Sequence, residues 1–204
     1  MAFTFFFRDL DAIKLIYEYT LSNISEKKSV EIWDAGCENY SETYSILIHL
    51  KETLDEEQFK KIEIFASDID ISNRFKKIIE EGTYKKNQIS SVPPDILKKY
   101  FEQDIEKPDI YVISENLREK VSYQKHDLLS LNAIGYDFDL IICKHVLQHF
   151  NNKEQVDVIK MFYNSLADVG FLLCEYSQEI PEYLNDHFVR VLPEKKLYRK
   201  TLLK

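Results

Sequence analysis

A doubly wound α/β sheet, mostly parallel, is the fold class this sequence predicts, and three stretches carry the expectation. Val30-Glu31-Ile32-Trp33-Asp34-Ala35-Gly36-Cys37 is an apolar, β-prone run ending in an acid and a glycine, after which Ser41 to Leu54 restarts at helical spacing. Ile62-Glu63-Ile64-Phe65-Ala66 alternates into Ser67-Asp68-Ile69-Asp70, a second strand that ends in acid. Asp137 to Cys143 is a continuous apolar run of the kind a strand buried on both faces requires. Strand, loop and helix open the sheets that hold nucleotide-like ligands beyond their strands' carboxyl ends, where backbone N–H groups face the ligand. An ordinary buried strand and turn would also account for the first stretch, since one glycine is a weak fingerprint.

The chain's 204 residues, 45% of them hydrophobic and 13% aromatic, suffice for one substantial core, so a single domain over 1–204 is expected. A net charge of -8 disfavours nucleic acid and anionic membranes as partners. Cys37, Cys143 and Cys174 lie in or beside apolar runs without CxxC spacing, which suits packed, reduced thiols in a cytoplasmic protein rather than disulfides or a zinc knuckle. Met1 to Arg8 is apolar but too short to span a membrane, and it lacks a basic start and a cleavage site, so no membrane insertion is expected.

In chain order, Asp9 to Leu21 spaces Leu10, Ile13, Ile16, Tyr17 and Leu21 as an amphipathic helix. After the first two strands, a helix is expected to run to Glu81, ended by Gly82, and Val92-Pro93-Pro94 opens another over Asp95 to Phe101. Ile110-Tyr111-Val112-Ile113 and Val121-Ser122-Tyr123 predict an antiparallel excursion within a small inserted subdomain, 82–126. Asn151 to Glu154 caps a helix reaching Leu166, Asp168-Val169-Gly170 predicts a turn, and Phe171 to Cys174 is the next strand. Phe188 to Leu192 and Lys196 to Arg199 flank Pro193-Glu194 as a closing antiparallel hairpin.

Polar residues gather where these strands end. Asp68 is placed to accept hydrogen bonds from both hydroxyls of a ribose, whereas Asp70 or Ser72 suits a helix N-cap. His145 and His149, four apart, lack the third ligand a metal would need at a defined offset, and local hydrogen bonding or pocket lining suits them better. No serine has the glycine brackets of a nucleophile elbow.

Further motifs carry a resemblance. Thr4-Phe5-Phe6-Phe7-Arg8-Asp9 is similar to the T-x-F-F-R-D segment of CheR-type chemotaxis receptor methyltransferases. Trp33 to Cys37 followed by Ser41 to Ser45 resembles that family's W-S-A-G-C-S-T-G-E-E-P-Y-S, and Phe65 to Asp70 its F-A-T-D-I-D. Gly82-Thr83-Tyr84, Tyr100-Phe101, Phe138 to Cys143, and Lys144 to Phe150, in place of R-N-V-x-I-Y-F, extend the likeness over nearly the whole chain.

The resemblance implies a class I methyltransferase fold binding S-adenosylmethionine, with Thr4 and Arg8 at the cofactor's methionine end, Glu42 near its amino group and Asp68 at the ribose. Asp34, Gly36 and Ile69 are further implied cofactor-binding residues, Asp127-Leu128 flank the adenine, and His145-Val146 replaces the family's Asn-Val beside the cofactor. Arg8 and His145 are the implied catalytic candidates. The chemistry implied is an in-line methyl transfer to a nucleophile, a protein glutamate of a chemoreceptor-like partner or a small molecule, with positioning supplying most of the acceleration. A catalytically degenerate binding protein is the alternative.

Departures are equally specific. Tyr40 stands at the glycine of S-T-G, where its ring is expected either to crowd the cofactor or to swing outward as a lid, with Asn39 a candidate for left-handed backbone. Ser41 replaces the first of the paired acids, and His145 and His149 replace Asn and Tyr. The family's N-terminal helical domain is not expected ahead of Thr4.

Overall fold

A computed structural model describes residues 5–21, 26–71, 73, 75, 78, 81–174, 180, 184–191 and 196–202. The N-terminal segment leads into helix α1 (Leu10–Leu15), continued by a π-turn over Ile16–Thr20. Strand β1 (Val30–Ala35) is followed by helix α2 (Ser41–Thr53), the short α3 (Glu56–Lys60) and strand β2 (Ile62–Asp68). Asp55 and Gln58 close a reciprocal capping box on α3. The expected helix before Gly82 falls largely on residues outside those described.

The middle of the chain supplies strand β3 (Thr83–Lys85), helix α4 (Pro94–Tyr100), strands β4 (Phe101–Gln103) and β5 (Ile110–Ile113), and helix α5 (Glu115–Arg118). Three of these strands form a separate antiparallel sheet in the order β3-β5-β4. One expectation is corrected here. Val121 does not begin a strand paired with Ile110–Ile113; strand β6 (Val121–Lys125) lies parallel to β2, with Ile64 opposite Val121 and Asp68 opposite Lys125. Its mixed, largely exposed side chains suit a sheet edge, and β5 is already paired on both sides by β3 and β4.

Strand β7 (Phe138–Cys143) is buried throughout, as its apolar run requires. Helix α6 (Asn152–Ser165) begins in a capping box between Asn151 and Glu154. Strand β8 (Leu166–Cys174) absorbs the expected Asp168-Val169-Gly170 turn as a shift of register against β7. Gly170 serves close approach instead of a turn, since a Cβ there would stand 2.8 Å from the Phe138 carbonyl oxygen. Strands β9 (Phe188–Arg190) and β10 (Leu197–Lys200) pair antiparallel, as the closing hairpin predicts.

The main sheet runs β6-β2-β1-β7-β8-β10-β9, parallel from β6 through β8, with β10 antiparallel to both neighbours. Its two faces bury separate cores, and alternate residues of β1 divide between them. Val30 and Ile32 join Phe6, Tyr40, Tyr44, Leu47 and Tyr84, while Trp33 and Ala35 join Phe138, Ile141, Phe162 and Tyr198. Chain order reverses between β1 and β7, and open α/β sheets offer a ligand crevice at such a switch point.

Candidate cofactor and methyl-transfer site

The loops after β1, β2 and β7, together with the segment before α1, enclose a cavity of about 280 Å³ at that switch point. The volume lies near the low end of small-molecule sites, roughly 300–1,000 Å³. Arg8 enters from the N-terminal segment, Gly36, Cys37 and Glu38 from the first loop, and Glu42 from the first turn of α2. Asp68 ends β2, Ile69 and Phe75 follow it, and Lys144, His145, Val146 and His149 follow β7.

Gly36 fixes how closely two of these loops meet. Its φ is +94°, and a Cβ on it would stand 2.3 Å from Val146 Cγ2, so a side chain is excluded both by conformation and by space. The turn is tied to β2, for the backbone N–H groups of Gly36 and Cys37 donate to the Ser67 carbonyl at 2.7 and 3.1 Å.

Asp68 is held from both sides. Its Oδ2 accepts the Glu38 N–H at 3.1 Å and its Oδ1 the Asp70 N–H at 2.8 Å. Each oxygen keeps acceptor capacity beyond those bonds, which a vicinal diol could use. Asp70 turns inward instead and accepts the Phe75 N–H at 3.3 Å; Ser72 lies outside the described residues.

Lys144 organises the charges on the opposite wall. Its side chain is only 5% exposed, and its Nζ bonds Glu42 Oε1 and lies 3.0 Å from Asp9 Oδ2. Burial works against the ammonium, but Glu42 and Asp9 outweigh it and hold the group above the ordinary lysine value. Sequence reasoning met Lys144 only as part of a longer segment. Its signal was available, because a lysine directly after a central strand is buried and must find carboxylates.

Asp34 does not line the cavity. It is fully buried beneath the loop, where the Thr43 hydroxyl donates to its Oδ2. Burial, then the Glu42 charge, push its carboxyl up to about 7 against the Thr43 hydrogen bond and Lys144. Asp127 and Leu128 also stay outside the lining: Asp127 Oδ1 caps a short turn by accepting the Leu129 N–H at 2.9 Å, and Leu128 belongs to the core. Thr4 lies outside the described residues.

Tyr40 follows neither course expected of it. It takes the left-handed conformation at φ 67°, and its ring is fully buried against Tyr44 and Tyr123, with centroids 5.8 and 5.9 Å away. The ring is thus core rather than obstacle or lid. Asn39 is not the left-handed residue either; Glu38 and Tyr40 are, and Asn39 Oδ1 accepts the Ser41 N–H at 3.1 Å.

His145 leaves β7 at φ 60° with its Nε2 3.6 Å from Asp9 Oδ2. Among the described residues no group of three or more His, Cys, Asp or Glu side chains is arranged to hold a metal ion, and no helix is long and apolar enough to cross a membrane.

S-adenosylmethionine presents a carboxylate, an ammonium, a sulfonium and a ribose diol. The cavity presents one guanidinium, the Glu42, Glu38 and Asp68 carboxylates, and a glycine turn that a Cβ would fill, so its donor set fits such a group.

Comparison with known proteins agrees. The family described as CheR methyltransferase, SAM binding domain, matches residues 2–196. A chemotaxis protein methyltransferase of Borreliella burgdorferi is 28% identical over 201 residues, covering 95% of this chain and 70% of that protein. Chemotaxis protein methyltransferase 2 of Vibrio cholerae is 26% identical, with 87% of this chain covering 62% of that protein. The chain therefore spans 62–70% of the length of these two relatives. In fold it is similar to the rRNA methyltransferase aviRa from Streptomyces viridochromogenes, at TM-score 0.57 and 12% identity over 97% of this chain and 85% of that one. The chain belongs to the CheR family of S-adenosylmethionine-dependent methyltransferases, whose cofactor-binding domain it carries.

Proposed function

We propose that this chain binds S-adenosylmethionine in the cavity at the carboxyl ends of β1, β2 and β7 and transfers its methyl group to a chemoreceptor-like protein. The observation that carries this reading is the convergence of Arg8, Gly36, Glu42, Asp68, His145 and Val146, from four separate segments, on one cavity. In it, the Arg8 guanidinium holds the cofactor's carboxylate and Asp68 the ribose diol. Glu42, already tied to Lys144, faces the cofactor's ammonium, and Gly36 lets the backbone approach. When bound, the cofactor supplies an electrophilic methyl group on sulfur. The chain's contribution is then to hold both reactants in line and keep water out.

The relatives' names support a chemotaxis protein as acceptor. A second reading, a small-molecule acceptor, is favoured by His145 and His149 on the cavity wall. Asp68→Ala should weaken S-adenosylmethionine binding, measured by equilibrium dialysis, by about 1.5–3 kcal/mol through loss of a charge-assisted hydrogen bond. An unchanged dissociation constant rejects the role given to Asp68.

A further inference from the structure

Lys144 joins two parts of the site that lie far apart in the chain. Its ammonium stands 3.0 Å from Asp9 Oδ2 and donates to Glu42 Oε1, and its side chain is 5% exposed against 45% for Asp9 and 14% for Glu42. Asp9 directly follows Arg8, and Glu42 lies in the first turn of α2, so one buried cation holds the N-terminal segment to that helix.

The other end of the segment is anchored by packing. The Phe6 ring is buried edge-on to Tyr84 and Phe101, with centroids 4.9 and 5.4 Å away, and its carbonyl accepts the Ser91 hydroxyl at 2.8 Å. The Phe7 N–H donates to Ser45 Oγ at 2.8 Å. Phe7 and Asp9 both take left-handed backbone, at φ 58° and 57°, a conformation that residues with side chains keep where their surroundings impose it. Burial pushes the Asp9 carboxyl up, but the Lys144 hydrogen bond and charge, with Arg8 and His145, outweigh it and hold the group below its ordinary value.

Taken in order of contact, Arg8, Asp9, Lys144 and Glu42 alternate in sign. The two ends of that row, Arg8 and Glu42, both line the cavity. An α-amino-acid group with its carboxylate toward Arg8 and its ammonium toward Glu42 continues the alternation from one end of the row to the other.

We propose that Lys144 is a positioning residue: by holding Asp9 and Glu42 with one ammonium it fixes the distance between Arg8 and Glu42, and so makes the cavity selective for ligands that carry an α-amino-acid end. The inference rests on the cofactor reading above. Lys144 acts through the two carboxylates rather than on the ligand, because its Nζ is already directed at them. Without that ammonium the two carboxylates repel each other, and the segment carrying Arg8 parts from α2.

Calorimetric titration of the full chain with S-adenosylhomocysteine, and with methylthioadenosine, which keeps the adenosyl part but lacks the amino-acid end, tests the role. Lys144→Met should weaken binding of the first ligand by about tenfold to a hundredfold and change that of the second by less than about twofold. Asp9→Asn, which keeps a side chain tolerant of left-handed backbone, should also weaken the first ligand alone, by a smaller factor. Equal losses for both ligands, as a merely structural lysine would give, or no loss for either, overturn the assignment; should Lys144→Met fail to fold, Asp9→Asn decides by the same comparison. Hydrogen exchange without ligand gives a second readout: amides of Phe7 to Ile13 should exchange about tenfold faster in Asp9→Asn than in the unaltered chain, while those of β1 keep their rate. Unchanged exchange in that segment overturns it. A chain that binds neither ligand fails the underlying reading instead, while the exchange rates still decide whether Asp9 and Lys144 hold the segment.

Discussion

Tyr40 takes left-handed backbone, a conformation that favours glycine, and buries its ring among Tyr44 and Tyr123. Backbone strain of order 1–3 kcal/mol is offset by burial of a whole aromatic side chain. Its hydroxyl finds no hydrogen-bond partner among the described residues. Tyr40→Phe should therefore be neutral or raise stability by about 1 kcal/mol, and Tyr40→Gly should lower it by about 3–5 kcal/mol despite relieving the backbone. Urea unfolding of both variants checks this; a stable Tyr40→Gly would contradict it. The left-handed backbone was expected at Asn39 and falls on Tyr40 instead, and the ring's direction was not legible because it depends on Tyr123, distant in sequence. Asp34 is a second residue whose environment sequence could not give. Its carboxyl, ordinarily near 3.8, is pushed up to about 7 by burial. Between those values the folded chain keeps a proton that the unfolded chain releases, so this group makes stability fall as pH rises. Asp34→Asn should flatten the fall between about pH 4 and pH 7, measured by urea midpoints; equal falls in both proteins would contradict it.

Elements with strong local signals formed where their residues predict them. The alternation of Ile62 to Ala66, the capping residues Asn151 and Glu154, and the antiparallel pairing of β9 with β10 each act over a few neighbours. The misplaced elements depended on partners. Val121–Lys125 alternates equally well for a hairpin or a parallel edge, and only the occupied flanks of β5 send it to β2. Gly170 looks like a turn residue, yet it marks a bulge where β8 passes the Phe138 carbonyl. Gly170→Ala should consequently cost about 1–3 kcal/mol, because backbone rather than a yielding side chain stands in the way. Thermal unfolding checks the cost, and an unchanged midpoint would restore the turn reading.

At the scale of the molecule, the order β6-β2-β1-β7-β8-β10-β9 brings loops more than a hundred residues apart in sequence to one crevice. Gly36, Glu42, Asp68 and His145 were legible as members of that crevice because each sits at or just past a strand's end or at a helix start. Lys144, Glu38 and Phe75 were not, since their membership follows from how loops pack rather than from any motif. Asp127 and Leu128 were placed there by resemblance and instead serve a turn and the core. The central claim, that this crevice is an S-adenosylmethionine site, is tested most directly by calorimetric titration of the full chain with S-adenosylmethionine and S-adenosylhomocysteine. The account predicts one binding site for each, weakened by Asp68→Ala and preserved in Tyr40→Phe; heat of binding absent for both ligands would contradict it.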